Sequence, residues 1–118
     1  MALGDVADRL TISRLKLQYG LATEVEVQAY ADEVEECGVT KTVAGRLALA
    51  ELECANRAIW ALEYAIKTGR DESLPLEEIG RRALEIRDWN RRRVAARNAI
   101  NGLTGTGYQE VKGDHASA

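Results

Sequence analysis

TVAGRLALAELECANRAIWALEYAIK, residues 42–67, runs without a proline. Within it Leu52, Asn56, Ile59, Glu63 and Ile66 recur at steps of 4, 3, 4 and 3. That spacing puts them on one face of a helix. Two of the five are polar, so the face is not a plain core stripe. Cys54, inside the same helix, is expected to pack as a small apolar residue.

LPLEEIGRRALEIRDWNRRRVAARNAIN, residues 74–101, has the same period. Ile79, Ala83, Ile86, Asn90, Arg93, Arg97 and Ile100 form its stripe, with isoleucines at the ends and polar groups in the middle. Thr40 or Thr42 starts the first long helix, and Gly69 ends it. Ser73 caps the second, with Pro75 in its first turn, where a missing N–H costs little. Gly102 is its stop. Each helix is about 26 residues, or ~39 Å at 1.5 Å per residue. The short connection predicts an antiparallel hairpin.

Two shorter helices precede this hairpin. One runs from about Asp5 to Tyr19, with acids in its first turns and Gly20 as its stop. The next starts near Glu24, where Thr23 and Glu26 match a capping box, and ends at Gly38. The fold class is therefore all-α: four helices dominated by the long hairpin, with helices 1 and 2 on one side. Residues 1–103 form a single helical domain. Residues 104–118, with glycines at 105, 107 and 113, read as an irregular tail.

The whole chain fits that reading. It has 118 residues, 46% hydrophobic and 30% charged, an ordinary composition for one folded domain. No stretch is apolar enough to span a membrane, and the first residues do not read as a secretory signal, so a cytoplasmic protein is expected. Cys37 and Cys54 match no disulfide framework or metal motif. The one histidine, His115, is in the tail. No metal or cofactor is expected, and no catalytic residues are assigned.

Charge is uneven. Glu24 to Glu36 holds six acids and no base, whereas Arg81 to Arg97 holds seven arginines and two acids. One reading of the arginines is a solvated helix laced by Glu77–Arg81, Glu78–Arg82 and Asp88–Arg92 pairs at i,i+4. A second docks acidic helix 2 against basic helix 4, within or between chains. A third gives unpaired arginines an anionic ligand, since their planar forks suit phosphate and carboxylate. The net charge of −3 argues against a duplex nucleic-acid partner.

Buried polar groups must pair or line a wet cavity. Folding the hairpin about residue 72 brings Asn56 toward Asn90 and Glu63 toward Arg81 or Arg82. It makes Glu51 a partner for Arg93 and Arg97. Asp8, on a face with Ile12, Leu15 and Tyr19, is another candidate carboxylate. Trp60 and Trp89, one on each long helix, suit the core or the walls of a pocket. The candidate ligand-binding residues are Asn56, Trp60, Glu63, Trp89, Asn90, Arg93 and Arg97, with Asp8 and Arg92 as secondary candidates.

Three blocks carry a resemblance. They are Leu3-Gly4-Asp5-Val6-Ala7-Asp8-Arg9-Leu10-Thr11-Ile12 with Leu15-Lys16-Leu17, Asn56-x-x-Ile59-Trp60-x-x-Glu63, and Asn90-x-Arg92-Arg93-x-x-x-Arg97-x-x-Ile100-Asn101. The chain resembles an uncharacterised family of small helical bacterial proteins often encoded beside surface-polysaccharide glycosyltransferases. Arg97 stands where that family has Lys, Arg91 where it has an acid, and helix 2 looks unlike it. The resemblance implies an all-helical fold and points to Asp8, Asn56, Trp60, Glu63, Asn90 and Arg93, but implies no reaction.

Three functions are expected to compete. The first is a non-enzymatic, oligomeric binding protein holding a small anionic ligand, nucleotide-like or a sugar phosphate. It would act like small phage-type proteins that sequester nucleotide signals. The second is a protein-interaction or inhibitor module docking through helix 2 or helix 4. The third is a carbohydrate- or phosphate-directed enzyme with Glu63 as general base.

Overall fold

The computed structural model describes residues 1–67 and 74–103, with the side chains of Ile66 and Lys67 left out. The expected stop at Gly69, the Ser73 cap and the tail lie outside the described residues. Within them the chain forms α1 (Leu3–Gln18), α2 (Glu24–Glu36), a single 3-10 turn (Val39–Lys41), α3 (Val43–Lys67) and α4 (Leu76–Leu103). These described residues contain no strand.

Local sequence sets most helix ends. After α1, Gly20 takes φ 71°, a left-handed conformation that glycine adopts without strain. The Gly20 N–H donates to the Leu17 carbonyl and the Leu21 N–H to the Lys16 carbonyl, closing the last turn. At the start of α2 the Glu26 N–H donates to Thr23 Oγ1 at 3.2 Å, the cap the sequence predicts. Thr23→Ala is expected to cost about 1 kcal/mol in chemical denaturation. Gly38, at φ 80°, ends α2. Of the two candidate threonines, Thr42 caps α3: its Oγ1 accepts from the Gly45 N–H at 3.0 Å.

Two boundaries differ from expectation. Helix α4 begins at Leu76, and the Pro75 carbonyl accepts from the Glu78 and Ile79 N–H groups, so Pro75 sits just before the first turn. Gly102 does not stop α4, which continues to Leu103. A glycine weakens a helix by about 1 kcal/mol and does not by itself end one.

Helices α3 and α4 pack along each other as the predicted hairpin. Helix α1 lies over it and touches both, while α2 packs on α1 and the 3-10 turn. One core joins Leu3, Val6, Ala7 and Leu10 of α1 to Val34, Val39, Leu52, Ala96 and Ile100. Two close approaches bring the elements together. Gly4 of α1 meets the Arg97 backbone of α4, and Gly45 meets the Val39 carbonyl, where any Cβ would overlap.

Surface positions correct three expectations. Cys54 is exposed, not packed in the core, because it lies on the far side of α3 from α1. Ala83 is exposed as well, since α1 covers only the C-terminal half of the α4 stripe. Arg92 reaches across the hairpin to Glu51 at 2.6 Å and does not bind Asp88. Glu78 accepts from both Arg81 and Arg82, and these guanidiniums hold its carboxyl down at about 2.

Candidate functional site

Where α1 crosses the hairpin, polar side chains replace the core. Asp8 and Thr11 of α1 and Asn56 of α3 are all buried. The Asn56 amide donates to Asp8 Oδ1 at 2.8 Å and to Thr11 Oγ1 at 2.6 Å. Thr11 in turn donates to the Asp8 carbonyl at 2.9 Å. Each member therefore has a partner, as a buried polar group requires.

Two arginines of α4 close this layer. Arg93 Nε lies 3.7 Å from Asp8 Oδ1, and Arg97 Nη1 lies 3.8 Å from Asp8 Oδ2. Arg97 Nε also lies 3.6 Å from Asp5 Oδ1. Two carboxylates thus face two guanidiniums, and the layer is charge-balanced. The pairs are long, however, and the Nε atoms of Arg93 and Arg97 are buried without a hydrogen-bond partner. These are loose ion pairs, not the bidentate forks that arginine makes at its best.

At the end of the layer Asn101 of α4 reaches back to α1. Its Oδ1 accepts from the Gly4 N–H at 2.7 Å. The residue preceding α1, Ala2, supplies no side-chain cap. Asn101 therefore satisfies one of the free N–H groups of the first turn from 97 positions away in sequence.

Beside the layer lies a cleft of about 300 Å³ between the three helices. Ile12 and Leu15 line it from α1, and Arg93 from α4. From α3 come Asn56, Ile59, Trp60, Glu63 and Tyr64. The Trp60 ring is 5.4 Å from that of Tyr19, and Tyr64 is 5.6 Å from the same Tyr19. Three aromatic rings thus adjoin a mostly apolar cleft with polar groups on its wall. The indole N–H of Trp60 is buried and donates to no acceptor among the described residues.

Of the candidate residues, Asn56, Trp60, Glu63 and Arg93 line this one cleft. Arg97 and Asp8 stand behind it in the polar layer. Trp89 and Arg92 do not line it: the Arg92 guanidinium stacks over the Trp89 ring at 4.3 Å, at a half-exposed position. Asn90 is half-buried on α4 and outside the cleft lining. The expected register is corrected at two points. Asn56 bonds Asp8 and Thr11, not Asn90. Arg93 and Arg97 face Asp8 and Asp5, while Glu51 takes Arg92. Both follow from α1 lying over the seam and supplying the carboxylates. Sequence reasoning missed Asp5, Thr11 and Asn101 as members of the layer. The three-residue spacing of Asp5, Asp8 and Thr11 on one helix face was the available signal.

Among the described residues these features define four α-helices with a polar layer under a three-helix cleft. No protein-family model, no curated protein and no solved structure matches the chain significantly. Among the described residues no helix is long and apolar enough to cross a membrane, and no group of three or more metal-ligating side chains gathers.

Proposed function

We propose that the chain is a non-enzymatic binding protein whose ligand sits in the α1–α3–α4 cleft. The ligand is small and anionic, a mononucleotide or a sugar phosphate. The observation that supports this most is the meeting of Trp60, Asn56 and Arg93 around one cleft. Its size, about 300 Å³, is at the lower end for ligand sites and suits one such molecule. A base or sugar ring would lie against Trp60 and Tyr64, and an anionic group would take the Arg93 Nε–H. Asp8 balances Arg93 in the free protein, so binding is of modest strength and discriminates by shape as well as charge.

Native mass spectrometry with a pool of mononucleotides, nucleotide sugars and sugar phosphates tests this reading. A defined added mass is expected. Arg93→Ala should weaken binding of that ligand by roughly 10- to 100-fold, the loss of a charged hydrogen bond. In a Trp89→Phe variant the remaining tryptophan reports on the cleft, and its emission should change on binding. A protein that ignores the whole pool, with unmoved Trp60 emission, would remove the reading.

One observation favours a second reading, an interaction module. All six acids of α2 are exposed, and α2 packs away from α4. Its acidic face would suit a basic partner. Stoichiometric capture of a protein with no small molecule present, lost on charge reversal at Glu33 and Glu36, would favour it. Glu63 lines the same cleft, so an enzyme reading also has a test. Turnover of a bound phosphate or glycosyl ester that vanishes in Glu63→Gln would support it.

A further inference from the structure

Helix α3 turns a second stripe outward. Leu47, Ala50, Cys54, Arg57, Ala61 and Tyr64 follow steps of 3, 4, 3, 4 and 3, and all six are exposed. At 100° per residue Leu47, Ala50, Cys54, Arg57 and Ala61 lie on the side of α3 away from the Leu52, Asn56 and Ile59 face that α1 covers, and Tyr64 sits between that side and the cleft. Five of its six members are apolar or small. A repeat alternating three and four is the spacing of a helix that pairs with another helix.

We infer that this stripe is the contact between two copies of the chain, packed antiparallel along α3. Charge selects the occupant and its direction. Arg57 is the stripe's one charged residue, and it bonds Glu53 of its own helix at 3.2 Å. A parallel pair would press Arg57 against Arg57 of the second copy. An antiparallel pair with its two-fold axis between residues 55 and 56 removes that conflict. Leu47 then meets Tyr64 of the second copy, Ala50 meets Ala61, and Cys54 meets Arg57. Glu53 comes beside Arg57 of the second copy, so two acids and two bases alternate about the axis. The large residues face each other at the ends, and the small ones let the helices approach between them. The stripe is thus self-complementary, as a two-fold interface must be. Tyr64 also lines the cleft, so Leu47 of the second copy packs at the cleft's edge.

A single seam of this length is a small interface, so the dimer should dissociate on dilution. Sedimentation of the full chain over a concentration series is expected to show a monomer–dimer equilibrium. Ala50 is exposed, so Ala50→Glu leaves the fold intact by circular dichroism. It places two carboxylates in the seam and should raise the dimer Kd by roughly 30-fold or more. A short bis-maleimide should cross-link the Cys37→Ser variant into dimers and leave Cys54→Ser monomeric. A chain that stays monomeric throughout the series would overturn the inference. So would a dimer that Ala50→Glu leaves unchanged, or one cross-linked through Cys37 and not Cys54. None of these outcomes depends on a ligand, so the dimer and the binding reading fail separately.

Discussion

Asp8→Ala is expected to lower the free energy of unfolding by about 3 kcal/mol. The substitution removes one carboxylate that serves three partners. Asn56 loses the acceptor it holds at 2.8 Å, and Arg93 and Arg97 lose the charge facing them at 3.7 and 3.8 Å. Arg97 would keep Asp5 at 3.6 Å, whereas Arg93 would lose the carboxylate it faces. The long distances and the partial exposure of the arginines place the loss at the lower end of what breaking a buried pair costs. Urea denaturation followed by circular dichroism measures it. Asp8→Asn keeps an acceptor for Asn56 without the charge and should cost about half as much. Adding Arg93→Met to Asp8→Ala should recover about 1 kcal/mol, because the partly buried guanidinium left without the Asp8 carboxylate goes with it. A loss under about 1 kcal/mol for Asp8→Ala would show that solvent already screens the layer.

Gly4→Ala is the second large effect, and its sign is diagnostic. On an open helix alanine is the better residue by about 1 kcal/mol. At Gly4 a Cβ would overlap the Arg97 carbonyl oxygen and come within 2.9 Å of Asn101 Oδ1. The obstacle is backbone, which cannot rotate aside. The clash should push α1 off α4 and weaken the Gly4–Asn101 hydrogen bond, a net loss of about 3 kcal/mol. Gly80 provides the control, since a Cβ there meets nothing within 4 Å. Gly80→Ala should stabilise by about 0.5 to 1 kcal/mol in the same experiment. If Gly4→Ala behaved like Gly80→Ala, the α1–α4 approach would not matter to stability.

The parts of the site legible in sequence are those carried by one helix. Steps of three and four put Asn56 on a face with Leu52 and Ile59, and Arg93 on a face with Arg97 and Ile100. Polar groups in the middle of such a stripe signal that something other than core lies there. The partners were not legible. A register drawn from the hairpin alone paired Asn56 with Asn90 and gave Glu51 to Arg93 and Arg97. The carboxylates instead come from α1, whose placement over the seam depends on how its Leu3, Val6 and Leu10 face packs. Trp60 and Trp89 were indistinguishable as sequence, one per long helix. Packing puts one beside the cleft and the other under Arg92 on the outside.

By itself the sequence determined the helices. Their period, the Thr23 and Thr42 caps, and the glycines at 20 and 38 act within a few residues, through backbone geometry and local hydrogen bonds. Tertiary structure alone decided what the polar stripes meet. The Asp8 pairs, the Asn101 cap on Gly4 and the cleft itself join residues from three helices. Their geometry depends on the angle and depth at which α1 sits on the hairpin. That placement is a collective outcome of packing at Gly4, Ala96 and Ile100, which no local spacing encodes.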